Sequence, residues 1–399
     1  MALIEVGRGL RKRLRAVDRR RREVRLFAAA MQYRTRPLVA QIVPIRRCNL
    51  ACSYCNEFDD FSPPVPLAEM LVRIDRLAAL GVTVITISGG EPLLHPQLEA
   101  IIRRIRSHGA IATLISNAYL LSHERIRALN AAGLDYLQIS IDNVEPDQNS
   151  KKSLRVLERK LQWLAAEAEF PVTINSVLGV GVRHPEDALT VARRARGLGF
   201  NSTVGIAHDG SGQCRSLSTN QFQIYQEIRK LETGVFSFAH FDRFQENLAR
   251  GLPNGWHCRA GARFLYVCED GLVHWCSQQR GRPGIPLAEY TQADVAREYA
   301  TYKGCAPFCS ISCVQQTAML DQVRENPRGM LQELVERRRA TDPNFRTPLL
   351  LRFLAWAFLD SPTAAALREL FRRVLGLHGA PELRSNAPAA EAAAPEFPS

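Results

Sequence analysis

The sequence predicts an α/β chain with six β-α units around a parallel sheet, a Cys-rich extension and helical termini. Three observations predict it. Six apolar strand-like runs alternate with five amphipathic helical stretches between residues 38 and 207. Nine of the ten Cys fall into two groups, 48–55 and 258–313. Basic charge is concentrated ahead of the first strand-like run.

The strand-like runs are Leu38–Ile45, Val82–Ser88, Ala110–Ile115, Tyr136–Ile141, Val172–Leu178 and Ser202–Ala207. They are rich in β-branched residues and bounded by turn formers. The helical stretches are Leu67–Leu80, Gln97–His108, Ser122–Ala132, Lys151–Glu167 and Pro185–Leu198, each with apolar residues at helical spacing. A chain of 399 residues, 46% hydrophobic and 23% charged, has the composition of an ordinary soluble protein of about two domains. The charged N-terminus lacks the apolar core of a secretory signal. No run reaches the roughly 20 apolar residues of a spanning helix. Ten Cys in such a chain point to metal or redox chemistry more than to disulfides.

Cys48, Cys52 and Cys55 follow the first run with the spacing C-x3-C-x2-C. Three thiolates on one short loop can hold three irons of a [4Fe-4S] cube and leave the fourth iron open. A structural zinc site is the competing expectation, but zinc takes four ligands, usually in paired knuckles. The second run ends in Gly89-Gly90-Glu91-Pro92, one β-α unit downstream. There two glycines permit close approach of the backbone, and Glu91 offers an acceptor for an ammonium group.

These two motifs together resemble the radical S-adenosylmethionine (radical SAM) superfamily, whose signature also carries an aromatic residue before the third Cys, here Tyr54. The resemblance implies a partial (β/α)6 barrel with its site at the C-terminal ends of the strands. It implies a catalytic [4Fe-4S] cluster and S-adenosylmethionine as cofactors. One electron cleaves the bound sulfonium, and a 5′-deoxyadenosyl radical then attacks the substrate. By the same resemblance, Tyr54 lies near the adenine and Gly89, Gly90 and Glu91 orient the methionine group. Ser116-Asn117-Ala118 resembles the third-strand Thr-Asn-Gly, and Ser140-Ile141-Asp142 the fourth-strand Ser-x-Asp. Asn117, Ser140 and Asp142 are therefore expected cofactor contacts, against the alternative of polar strand ends satisfying local turns. Asn175, Ser176, His208 and Asp209 are further candidates at the barrel mouth.

Beyond the barrel, Cys258, Gly271 and Cys276 form C-x12-G-x4-C, which resembles the opening of the SPASM or twitch extension. Glu269-Asp270-Gly271 suits a hairpin turn between Phe264–Val267 and Leu272–Trp275. The resemblance implies an auxiliary [4Fe-4S] cluster. The closing spacing Cys305-x3-Cys309-x3-Cys313 departs from the usual one. One auxiliary cluster is expected, held by Cys258, Cys276 and two of Cys305, Cys309 and Cys313, with zinc as the alternative. Cys268 is expected to be a core thiol and Cys214 to have no ligand role.

Residues 1–36 carry twelve Lys and Arg against three acidic residues, within a chain of formal net charge +12. Leu3, Leu10, Leu14, Val17 and Val24 recur there at helical spacing. A basic amphipathic helix of this kind suits an anionic membrane surface or nucleic acid, or else packs on the barrel. Few aromatics interleave the basic run, which ranks nucleic acid low. Two C-terminal helices are expected, Pro348–Leu359 and Ala364–Leu377, the second carrying Arg368, Arg372 and Arg373. The expected domains are 1–36, 37–235, 236–325 and 326–379, with a disordered tail over 380–399.

The substrate is expected to be a peptide, a lipid or a small molecule. Peptide-modifying SPASM enzymes often carry an N-terminal recognition domain larger than 36 residues. The stretch Gly90–Leu121 also resembles the radical SAM adenosyl-hopene transferase, which motivates the lipid alternative. A flavodoxin, ferredoxin or reductase is the expected electron donor. A cytoplasmic location, with peripheral membrane contact through the N-terminal helix, completes the expectation. A non-catalytic iron-sulfur scaffold for electron transfer or sensing is the alternative from another class, and RNA modification a further one.

Overall fold

The computed structural model describes residues 2–53, 55, 57–207, 214–231, 243–341, 343–356 and 362–374. It divides into two compact units, Met1–Pro348 and Leu349–Ser399.

In the first unit, helix α1 (Ala2–Gln32) leads into strand β1 (Val39–Ile42). Five β-α repeats follow: α2 (Leu67–Leu80), β2 (Val84–Ile87), α3 (Leu98–Ser107), β3 (Ile111–Ser116), α4 (His123–Ala132), β4 (Tyr136–Ser140), α5 (Leu154–Glu167), β5 (Val172–Gly179), α6 (Glu186–Gly197) and β6 (Asn201–Ala207). Helices α7 (Thr219–Lys230) and α8 (Arg243–Ala249) come next. Strands β7 (Phe264–Val267), β8 (Leu272–His274) and β9 (Pro283–Pro286) then precede α9 (Gln292–Ala300), α10 (Ser312–Glu325) and α11 (Pro327–Thr341).

One sheet of nine strands runs in the order β6-β5-β4-β3-β2-β1-β7-β8-β9. Strands β1 to β7 are mutually parallel, and β8 and β9 return antiparallel. The sheet is open, with β6 and β9 at its edges. The hairpin expected at Glu269–Gly271 is present, and Gly271 takes a φ of +78° at its turn. Its first strand pairs with β1, Val39 opposite Phe264, so the Cys-rich extension continues the sheet. The domain boundary expected at 235 lies outside the described residues, as does the tail expected over 380–399.

Strand residues alternate between two environments. Ile85, Ile87, Ala112, Leu114, Leu137, Ile139 and Ile174 are fully buried against the helices. There they meet Met70, Ile74 and Leu77 of α2 and Ile101, Ile102 and Ile105 of α3. Burial of each Leu, Ile or Met among them contributes roughly 1.5–3 kcal/mol. The opposite strand face is largely polar, with Gln41 and Thr86 buried and Thr113, Gln138, Ser140, Asn175 and Thr203 partly exposed. Bonds from Gln41 to Ser88 (2.6 Å), Thr113 to Thr86 (2.7 Å) and Thr203 to Asn175 (2.9 Å) place these groups on one side of the sheet.

Local chemistry sets the element ends. Gly81 closes α2 in the left-handed region at φ +96°, its N–H reaching the carbonyls of Leu77 and Ala78. Ser122 caps α4 by accepting from the Arg125 N–H. The helix expected from Lys151 begins at Leu154 instead. Ahead of it the chain bends between Asp147 and Ser150, where the Asp147 carboxylate accepts from the Ser150 N–H at 2.7 Å.

Helix α1 turns its charged face inward. Arg22 pairs with buried Asp135 at 2.5 Å, Arg11 and Arg15 meet Glu169, and Asp18 meets Arg106. Asp135 and Glu169 precede β4 and β5, so α1 crosses the N-terminal ends of the strands. Arg263, fully buried, donates to the carbonyls of Ala30, Tyr33 and Arg36 and pairs with Asp321 of α10 at 2.9 Å. It thereby satisfies orphan carbonyls at the helix C-terminus and beyond it.

The second unit contains α12 (Leu349–Ala355) and α13 (Ala364–Val374). The ends expected at Leu359 and Leu377 lie outside the described residues, as do the side chains of Arg368 and Arg372. Leu349, Phe353 and Trp356 are exposed. No helix among the described residues is long and apolar enough to cross a membrane.

Candidate active site

The C-terminal ends of β1 to β4 meet at one mouth, the usual position of chemistry in β/α folds. The loop after β1 carries Cys48, Cys52 and Cys55. Its entry is held by Cys48 N–H to Asp59 O (2.9 Å) and Asp59 N–H to Arg46 O (3.2 Å). Ser53 N–H reaches Asn149 O at 3.0 Å, and Cys55 N–H reaches Cys52 O at 3.1 Å.

The glycine pair clamps this loop. Gly90 N–H donates to Ile45 O and Glu91 N–H to Arg47 O. A Cβ on Gly90 would stand 2.1 Å from Arg46 O and 2.4 Å from Arg47 O. The close approach permitted by the glycines is therefore to the backbone leading into Cys48.

Glu91 is buried and engaged by the protein. Its Oε1 accepts from Leu93 N–H (3.0 Å) and Ser116 Oγ (2.8 Å), and its Oε2 from Asn117 N–H (2.8 Å). Burial pushes its carboxyl pKa up, while the donors from Asn117, Leu93 and Ser116 pull it down. In this geometry the side chain ties the end of β2 to the end of β3, leaving loop carbonyls as acceptors for a ligand.

Asn117 Nδ2 donates to Asn49 Oδ1 at 2.8 Å and lies 3.8 Å from Cys48 Sγ. Ala118 sits at φ +64°, in the left-handed region that the family glycine at this position would occupy without strain. Asp142 accepts from Ser150 Oγ at 2.7 Å, and Ser150 Oγ lies 3.8 Å from the buried Cys52 Sγ. Ser140 ends β4 opposite Asn175. Asn175 lies on the polar strand face, whereas Ser176 is buried on the helix side. Tyr54, His208 and Asp209 lie outside the described residues.

Three contributors were missed in the sequence. Lys152 favours the charged forms of Cys48, Cys55, Glu57 and Glu91, so its ammonium serves the whole mouth. Ser150 links Asp142 to Cys52. Glu57 accepts from the Tyr266 hydroxyl of β7. Its charge acts on Cys55 on one side and on Cys268, Cys276 and Cys313 on the other. No local pattern marks these residues; only the fold brings them together.

In the second Cys group, Cys305 lies within electrostatic reach of Cys258, Cys276 and Cys309, and Cys309 within reach of Cys258 and Cys276. Burial pushes the Cys258 thiol up to about 12 and the Cys276 thiol to about 11. Lys303, buried over the Trp275 ring, opposes that rise at Cys258. Cys313 responds instead to Glu57. Cys268 is fully buried against Glu269 and Asp270. Cys214 is half-buried against the cluster around α6 and α7.

The donor sets suit iron-sulfur cubes. A single zinc ion draws its thiolates to about 4 Å from one another. Among the described residues, only Cys268, Asp270 and His274 bring three ligand-type atoms within 4.8 Å. Cys48, Cys52 and Cys55 do not all lie within that distance of one another, which accords with ligands to separate irons of a cube. The Cys268 trio is not arranged for a metal. His274 Nδ1 accepts from Gly281 N–H at 2.9 Å, which places the ring proton on Nε2, the nitrogen nearest Asp270.

A profile of the Radical SAM superfamily matches residues 42–210. A PqqA peptide cyclase of Methylorubrum populi is 31% identical over 284 residues, 65% of this chain and 72% of that protein. The chain belongs to the radical SAM superfamily. It is an enzyme of that superfamily, with a [4Fe-4S] cluster and S-adenosylmethionine as cofactors. Another relative, the GTP 3′,8-cyclase of Aquifex aeolicus, is 29% identical over 61% of this chain and 82% of its own length. The solved structure of SuiB from Streptococcus suis bound to S-adenosylmethionine aligns with a TM-score of 0.45 and 15% identity, over 61% of this chain and 60% of that one.

Proposed function

We propose that this radical SAM enzyme modifies a peptide by joining two of its atoms in a new intramolecular bond: one hydrogen atom would leave a C–H bond for the 5′-deoxyadenosyl group, and the second hydrogen would leave as a proton, its electron taken up by the auxiliary cluster. The observation that carries the substrate class is the polar strand face formed by Gln41, Thr86, Thr113, Gln138, Asn175 and Thr203. Most of these groups bond to one another, and the partly exposed Gln138 and Asn175 among them would meet backbone amides and polar side chains of a peptide, a surface that suits a membrane lipid poorly. The relatives named PqqA peptide cyclase, at 31–33% identity, support a peptide.

Cys48, Cys52 and Cys55 would hold the catalytic cluster, which with S-adenosylmethionine supplies one-electron sulfonium cleavage and hydrogen-atom abstraction. Gly89, Gly90 and Glu91 fix the loop that carries Cys48, and Asn117 holds Asn49 beside it. Loop carbonyls and Lys152 would orient the amino and carboxylate groups of a bound cofactor. Ser140 and Asp142 bound the same mouth. The chain's contribution is placement, because the target bond must lie within reach of the radical and away from water. Cys258, Cys276, Cys305 and Cys309 would hold one auxiliary [4Fe-4S] cluster, with Glu57 and Tyr266 lying between the two thiol groups. A flavodoxin or ferredoxin supplies the electron. We place the enzyme in the cytoplasm, with peripheral contact at a membrane.

The test is anaerobic incubation of the reconstituted enzyme with S-adenosylmethionine, dithionite and separate peptide and nucleotide fractions of a cell extract. The expected result is 5′-deoxyadenosine formation stimulated by the peptide fraction, with one peptide losing the mass of two hydrogens. Stimulation by the nucleotide fraction alone would overturn the peptide assignment and support the cyclisation of a small molecule.

A further inference from the structure

We propose that the outward face of α1 is a docking surface for anionic lipid and holds the enzyme on a membrane with its catalytic mouth turned away. This specifies the peripheral contact proposed above and is independent of the substrate. Leu10, Leu14, Val17, Val24 and Phe27 recur at helical spacing and are 43–69% exposed. An amphipathic helix on a globular protein ordinarily buries its apolar stripe. Here the arrangement is inverted, because Arg11, Arg15, Asp18, Arg22 and Glu23 face the barrel through ion pairs and the Tyr136 hydroxyl. The stripe runs roughly 25 Å along the helix, at 1.5 Å per residue.

Charge identifies the occupant. Arg13, Arg20 and Arg21 are exposed beside the stripe. Among the described residues, Arg20 and Arg21 meet carboxylates in pairs one turn away on the same helix, with Glu23 at 3.0 Å and Asp18 at 3.6 Å, and with the guanidinium groups so exposed such pairs are weak. Apolar side chains interleaved with long cations suit a headgroup boundary, where the chains enter the acyl region and the guanidinium groups meet phosphate. A second copy of this helix would set the same cations against one another. The stripe covers one face only, so the helix would lie in the interface. Because α1 crosses the N-terminal ends of the strands, this orientation leaves the Cys48–Cys55 mouth open to water.

The experiment is co-sedimentation of the full-length reconstituted enzyme with vesicles of phosphatidylglycerol and phosphatidylcholine, or of phosphatidylcholine alone. The expected result is at least tenfold tighter binding to the anionic vesicles. A Leu14→Glu/Val17→Glu variant should lose at least tenfold in affinity, with its circular dichroism and S-adenosylmethionine cleavage unchanged. An Arg13→Gln/Arg20→Gln/Arg21→Gln variant should lose the preference for anionic lipid. Equal binding to both vesicles, or unchanged binding by the Glu variant, would overturn the proposal. So would a dimer by light scattering that the Glu variant dissolves, which would assign the stripe to a second copy. Cleavage activity is scored separately, so failure here leaves the catalytic assignment intact.

Discussion

The Ser116 hydroxyl donates to the Glu91 carboxylate at 2.8 Å and joins the C-terminal ends of two neighbouring strands, β2 and β3. With the Leu93 and Asn117 amides, it surrounds a buried carboxylate with three donors. Glu91→Ala would leave these donors unpaired in a buried site, at a cost of about 3 kcal/mol. Urea denaturation should register that loss. Iron content after reconstitution should fall with it, because the same loop clamps the backbone entering Cys48.

Ala118 carries a left-handed backbone, which for a residue with a Cβ costs roughly 1–2 kcal/mol. Ala118→Gly relieves that strain but adds chain entropy to the unfolded state, so a net gain of about 0.5–1 kcal/mol is expected. Chemical denaturation of the reconstituted protein measures it. Ala118→Val should destabilise instead, since β-branching disfavours this region further.

The grouping of Cys258, Cys276, Cys305 and Cys309 predicts different outcomes for neighbouring Cys residues. Cys309→Ala should remove about four irons per chain, the content of one [4Fe-4S] cluster. Cys268→Ala should leave the iron count unchanged. Iron analysis and electron paramagnetic resonance distinguish the two. Equal losses in both variants would refute the assignment of Cys258, Cys276, Cys305 and Cys309 as one set.

A pH effect follows from Asp75 on α2. The Arg104 guanidinium binds both its oxygens at 2.6 Å, His108 binds Oδ1, and its pKa is held down to about 2 from 3.8. The depressed group is ionised in both states above the unfolded value, where its stabilisation is fully present. That stabilisation is lost as pH falls from about 4 through 2. The pair is exposed, so solvent screening keeps its contribution small. Asp75→Asn should flatten the stability profile between pH 4 and 2 and leave it parallel above pH 5.

The β-α alternation was legible because each unit carries its own signals. Leu67–Leu80 was read to its final residue because Gly81 ends it, and the four-residue core of β2 sits inside the run read from its β-branched residues. The Cys triad and the glycine turn were legible as motifs. Their interaction was not, because the approach of Gly90 to Arg46 and Arg47 depends on two loops meeting in space. The pairing of Val39 with Phe264 joins distant parts of the chain, and nothing local to either strand announces it. Helix α10 was passed over because its polar and apolar residues are mixed around the axis. In α1 the helical period was read, but the period does not say which face turns inward. Asp135 and Glu169 decide that, by offering carboxylates to Arg22 and Arg15.

The most direct measurement is S-adenosylmethionine cleavage by the anaerobically reconstituted enzyme with dithionite, comparing wild type with Cys52→Ala and Gly90→Ala. The wild type should form 5′-deoxyadenosine. Cys52→Ala should form none, and Gly90→Ala should lose at least a hundredfold because its Cβ displaces the loop bearing Cys48. Retained cleavage in Cys52→Ala, or none in a wild type fully loaded with iron, would contradict the assignment of Cys48, Cys52 and Cys55 as the catalytic ligands.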